Sequence, residues 1–363
     1  MTNPKADILD LGPWIARLRG LLVPLIAAGM IFAVLVPLAP TVMDVLLAAN
    51  LTLAAVILLT VIRVGRPLEF SVFPSVLLGA TLLRLVLNVA STRLILTAGA
   101  DGATAAEARH AAGQVIWSFS EFVTVGSLTV GVILFLILTL VQFLVITKGA
   151  ARISEVGARF VLDAMPGKQM AIDADLNAGV LSPRQARAAR ERVGAEADFY
   201  GAMDGAAKFL RGDAVAALLI TLINILGGLY VGVVQYGWTW GQTADVFTRL
   251  AIGDGLVAQV PALLVSVSAA LIVTRSAART DLNEEVLGQL VSRPAVLAIA
   301  AGFLVALLLT SLPKLPLTLL AAGCGGLAWM LHRRGAGQAS LAAGAELADA
   351  EPAGGADAPA GPQ

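Results

Sequence analysis

The residues of this chain that could do chemistry are ionisable side chains set inside long apolar runs. A charge at the centre of a membrane helix costs roughly 2.5–3.5 kcal/mol on insertion scales, so one that is kept there needs a use. One such run holds Arg84, Asn88 and Arg93. Arg84 and Asn88 are one helical turn apart and share a face. Arg93 lies nine positions from Arg84, about 900° around and roughly 13 Å along the axis, so the two arginines serve different surfaces. One suits a polar path and the other a neighbouring helix. Arg93 equally suits a snorkelling anchor at the membrane edge.

A second run reads Ile252-Gly253-Asp254-Gly255-Leu256 and continues to Pro261. An aspartate there can take and release a proton. The flanking glycines are expected to loosen the helix, and Pro261 removes an amide donor; broken helices in membranes line cavities or are buried in protein. The blander reading is a carboxylate neutralised by Arg249, or a protonated one buried in a helix interface. Asp245 and Arg249, four apart, read as a surface pair near the outer edge. A third cluster, Asp204, Lys208, Arg211 and Asp213, stands where another apolar run begins. Taken alone it reads as interfacial charge that orients the span. No phosphate-binding glycine loop, carboxylate pair, His/Cys ligand set or Ser/His/Asp arrangement is legible.

The elements that must hold these groups are membrane helices. The chain is 58% hydrophobic and 14% charged, with mean hydropathy +0.83, against about 25% charged in soluble domains. The formal net charge is zero, so no global basicity recruits nucleic acid. Cys324 is the single cysteine, and His110 and His332 are far apart, so neither a disulfide framework nor a metal site is expected. The first apolar run lacks the flanks of a signal peptide and reads as a retained span.

A bilayer core takes about 20 apolar residues as helix. Eight segments approach that length: 21–38, 45–62, 70–90, 122–146, 214–234, 252–273, 295–312 and 315–331, the last two joined by a tight turn at Pro313–Pro316. The predicted fold is therefore an all-α polytopic membrane protein with about eight transmembrane helices. With residues 1–20 placed in the cytoplasm, twenty of the twenty-five Lys and Arg fall on the inner side, and only Arg109 and Lys314 lie in outer loops. This inside bias predicts cytoplasmic termini in the bacterial inner membrane. The spans fall in two blocks, 21–146 and 213–334, around an insert at 147–212. The insert holds Phe160, Met165, Met170, Phe199 and Tyr200 among mixed charges and is expected to fold as an inter-subunit element, with Ser182 capping a helix that starts at Pro183. Residues 335–363, almost all Ala, Gly, Pro, Asp and Glu, are expected to be a disordered tail.

Within the insert, the stretch from Arg152 to Gly179 resembles the signature of the FHIPEP family, the export-gate membrane proteins of flagellar and virulence type III secretion. Its carriers here are Glu155, Arg159, Phe160, Pro166, Gly167, Lys168, Gln169, Asp173 and Asp175. Leu82–Arg93, Ala197–Asp213 and Gly253–Pro261 match the same family, so the resemblance runs from Gly20 to Arg334 and is closer to the flagellar branch. It implies a homo-oligomeric ring, nonameric where known, with other export-gate membrane proteins as partners and exported subunits as cargo. It also implies transport energised by the proton motive force, with protons or sodium as the coupling ion and no other cofactor. Arg93, Lys208, Asp213 and Asp254 match positions on which ion coupling in the family depends, and Asp163 another acidic position linked to ion passage. Family members carry a large soluble domain after the last span. Here only the 29 residues of the tail follow it, so the chain is either cut in the linker or a short paralogue, and chaperone docking is not expected of it.

Two other functions compete with an ion-conducting export-gate component, which is not an enzyme. One is a proton-coupled small-molecule transporter, although paired broken helices in two matching halves are not visible. The other is a ring scaffold whose charges only fix helix packing.

Overall fold

The computed structural model describes residues 13–124, 126–275, 294–308 and 314–349. The chain divides into two compact units, Met1–Arg279 and Thr280–Gln363. Among the described residues it is helical throughout, with no strand. The first unit contains α1 (Pro13–Leu35), α2 (Pro40–Arg63), α3 (Phe73–Leu96), α4 (Ala105–Ala108), α5 (Gln114–Thr124), α6 (Leu128–Leu144), α7 (Ala151–Asp163), α8 (Met165–Asn177), α9 (Pro183–Tyr230) and α10 (Trp240–Thr274). The second contains α11 (Pro294–Leu307) and α12 (Lys314–Asp349), which pack on each other.

Among the described residues six helical runs are long and apolar enough to cross a membrane: α2, α3, the run Leu128–Asn177 that opens with α6, α9 with its extension to Gln235, α10 and the first half of α12. The expected first and seventh spans are shorter apolar helices, Pro24–Leu35 and Ala295–Leu307. An all-α polytopic membrane protein is therefore what the chain forms.

Several expected boundaries move. Helix α1 already begins at Pro13, inside the segment assigned to the N-terminal extension. The expected span 122–146 is split, because Gly126 at φ +80° and the Ser127 N-cap separate α5 from α6. The insert has no loop at either border. A π-turn over Val145–Ala150 leads α6 into α7, and α9 runs unbroken for 48 residues from the insert into the membrane. Ser182 caps α9 as expected, accepting from Gln185 N at 3.3 Å while Gln185 Oε1 accepts from Ser182 N at 2.9 Å. Pro313 lies outside the described residues, and Lys314–Pro316 form the first turn of α12. That helix continues to Asp349, so the first part of the expected tail is helical, in keeping with the high helix propensity of its alanines; residues 350–363 lie outside the described residues.

Helix α10 is the central element, with 61% of its most apolar window buried against 17% for α6 and α9. It does not break at Gly253-Asp254-Gly255 or at Pro261, contrary to the sequence expectation. The glycines instead admit close neighbours. A Cβ on Gly253 would strike the Ile116 carbonyl of α5, and one on Gly255 would meet the Phe135 ring of α6 at 2.8 Å. The same device joins α9 to α10, where Gly228 and Gly232 receive Phe247 and Thr243.

Three apolar clusters surround α10, the smallest made of Val123, Phe135, Ile252 and Leu256. Of the two larger, one, on the insert side, contains Phe73, Leu77, Tyr200, Met203 and Ile272. The other, toward the opposite end, contains Met43, Leu87, Ile116, Phe247 and Leu250. Arg84, Asp213 and Asp254 lie in the slice between them.

Overpacking a tight core costs typically 1–3 kcal/mol. Gly228→Ala, pressed against Phe247, should therefore lower the unfolding temperature in detergent, whereas Gly201→Ala, which meets nothing within 4 Å, should leave it equal or slightly higher.

Candidate functional site

The centre of the site is an ion pair between Arg84 of α3 and Asp213 of α9, each side chain 3% exposed. A buried charge without a partner costs several kcal/mol, and two held against each other remove most of that cost. Asn88, one turn along α3, faces the same space. Between α3, α6, α9 and α10 lies a cavity of about 50 Å³, lined by Arg84, Asn88, Asp213, Asp254, Gln142 and Gln259 among others. A water's share of liquid volume is about 30 Å³, so the cavity has room for about two. Gln142 donates to the Gln259 carbonyl at 2.5 Å, and Gln259 donates to Thr139 Oγ1 at 2.7 Å, tying α6 to α10 along one wall.

Asp254 sits at the end of this cavity farther from the insert and is 4% exposed. Asn224 Nδ2 of α9 donates to its Oδ2 at 3.0 Å. Among the described residues no cation pairs with it. The neutralisation by Arg249 that the blander reading offered does not occur. Arg249 turns away to Asp245 Oδ1 at 2.8 Å and Thr124 Oγ1 at 2.9 Å, and Arg109 reaches Asp245 Oδ2 at 2.6 Å. Five residues separate Arg249 from Asp254, half a turn off the shared face, which is why the shorter Asp245 spacing wins.

Of the residues singled out in the sequence, Arg84, Asn88, Asp213 and Asp254 come together. Three others do not. Arg93 is exposed on the opposite face of α3 and donates to the Leu35 carbonyl at 3.1 Å, as a helix tether. Lys208 is exposed and paired with Asp204 at 2.7 Å. Asp163 is exposed on α7, 3.8 Å from Arg159. Asp213 is the reverse case, since it reads as interfacial charge and is buried. The signature residues lie on α7 and α8, away from the cavity. Glu155 takes Arg211 at 3.2 Å, Lys168 pairs with Glu196 at 2.9 Å and Asp173 with Arg190 at 2.5 Å, all fastening the insert to α9. Phe160, Pro166, Gly167, Gln169 and Asp175 are exposed. Asn224 was missed. It lies 11 residues beyond Asp213, about 1100° on, hence within 20° of the same helical face, and that spacing could have found it.

The FHIPEP family model matches residues 30–358. The chain belongs to this family. The flagellar biosynthesis protein FlhA of Escherichia coli (strain K12) is 49% identical over 312 residues, 86% of this chain and 44% of that protein. FlhA of Yersinia enterocolitica is 46% identical over 331 residues, 91% of this chain and 47% of that protein. The chain thus spans less than half the length of these relatives. No solved structure matches. Membership of the family agrees with a multi-pass inner-membrane protein, and the cavity lies within the part the relatives share.

Removing one partner of a buried ion pair typically costs 3–5 kcal/mol, while replacing both by apolar residues is near neutral. Arg84→Ala should accordingly lower the unfolding temperature strongly, and Arg84→Met combined with Asp213→Leu should recover most of it. Equal instability of the single and double variants would mean that the pair is not what holds α3 to α9.

Proposed function

We propose that this chain is the membrane part of a flagellar protein-export gate and conducts the ion whose downhill flow drives export. The observation that carries the reading is Asp254, a buried carboxyl with no cationic partner among the described residues, at the end of a small cavity that Arg84, Asn88 and Asp213 also line. A carboxyl so placed can pass a proton between waters on one side and acceptors on the other. Arg84 and Asp213 supply a compensated charge pair that keeps the cavity polar without trapping the ion. Protons are the proposed coupling ion, with sodium as the competing possibility.

The charge bias of the loops supports placing the insert and both termini in the cytoplasm. The family relationship supports a homo-oligomeric ring that acts with other export-gate membrane proteins on exported subunits. Arg93 and Lys208, exposed here, fit roles at contacts between ring members better than roles inside the cavity, and Asp163 fits the same position on the insert. The size of the cavity weighs against a small-molecule transporter, since ligand pockets usually hold about 300–1,000 Å³.

Asp254→Asn keeps the volume and the Asn224 contact but removes the titrating group. In liposomes, the variant should insert and assemble as before while proton flux falls at least tenfold. In cells carrying the full-length relative, the matching change should abolish export. Normal flux and export in this variant would favour a ring scaffold in which the charges only fix packing.

A further inference from the structure

Asp254 is at the end of the cavity away from the insert, and beside it α5 packs on α10. This 11-residue helix lies across α10, where the Ile116 carbonyl rests on Gly253, next in sequence to Asp254. It is amphipathic: Ile116, Ser120, Val123 and Thr124 are buried and Gln114, Ser118, Glu121 and Phe122 exposed. Its apolar side completes the cluster with Leu250 and Val257 that separates the cavity from the end of α10 opposite the insert.

Both ends of α5 are held by charges that match its dipole. At the N-terminus, Asp44 of α2 accepts from Gln114 N and Val115 N, each at 2.9 Å. At the C-terminus, Arg249 of α10 donates to Thr124 Oγ1 at 2.9 Å. A carboxylate at the positive end and a guanidinium at the negative end are the favourable placements. Arg249 is itself anchored by Asp245, which Arg109 also holds. Outside the two clamps the backbone takes positive φ at Gly113 (+107°) and at Gly126 (+80°). Glycines in that conformation thus bracket a helix that packs on α10 through its buried face and is fixed at each tip by one charged side chain.

We propose that α5 is the gate closing the end of the cavity opposite the insert, and that Asp44 and Arg249 are its two latches. Both are positioning residues: neither touches the cavity, and each acts by holding α5 on Gly253. The proposal rests on the reading of the cavity as an ion path, but the position of the gate can be tested apart from conduction.

The test reads access to the cavity from each face. In a Cys324→Ser background, a cysteine replaces Asn88, and a membrane-impermeant maleimide is applied to right-side-out and to inverted vesicles. With both latches intact, labelling from the face opposite the insert should be slow. Arg249→Met or Asp44→Asn should accelerate it about tenfold from that face alone, and Arg249→Lys should restore most of the protection. Unchanged labelling in both latch variants overturns the proposal, and so does an equal rise from both faces, which is the mark of general loosening. Proton flux is then measured in the same variants. A leak raised by Arg249→Met and abolished by adding Asp254→Asn supports gate and path together. One-sided labelling with no flux in any variant keeps the gate and sinks the conduction reading.

Discussion

The rest of the structure depends on how the Arg84 guanidinium is compensated. Lipid offers neither water nor counter-ions, so an arginine in the middle of a span must find its partner inside the protein. That partner, Asp213, comes from a helix more than a hundred residues later in the chain, and the bond fixes both the rotation and the depth of α9 against α3. Once they are fixed, Asn224 falls three turns farther along α9 at the height of Asp254, and polar groups of three helices line one cavity. Apolar clusters pack on either side of it.

Within that cavity, Asp213 and Asp254 have opposite electrostatic surroundings. Asp213 is matched by a full positive charge, whereas Asp254 is given only the Asn224 amide. The glycines beside Asp254 contribute in an unexpected way. They remove side chains so that a backbone carbonyl and an aromatic ring can approach, and the helix they belong to stays straight.

Much of this could be read from the sequence because lipid penalises charge so heavily. The membrane class, the long spans, the capped start at Ser182 and the placing of Arg84, Asn88 and Asp254 inside spans all follow from apolar length and helical spacing. Pairing between distant helices was not legible. Whether Asp213 is interfacial or buried depends on α3 being its neighbour, and whether Arg249 or Asn224 faces Asp254 depends on the rotation of α9 and α10. The helical continuity of α9 across the membrane border was hidden for another reason. Composition changes sharply near Gly212, but a change of solvent is not a change of backbone conformation, and nothing there interrupts the hydrogen-bond ladder.

That continuity has a mechanical consequence. At 1.5 Å per residue, α9 is a rod of about 72 Å, and roughly 35 Å of it separate Arg190, clasped to α8 by Asp173, from Asp213. A rod without a joint cannot absorb a load along its length. A tilt of about 5° imposed at Arg190 would sweep Asn224, roughly 51 Å along the rod, by some 4–5 Å. That is more than the 3.0 Å length of the hydrogen bond between Asn224 and Asp254. The clasp on α8 and the buried cavity thus share one unjointed shaft.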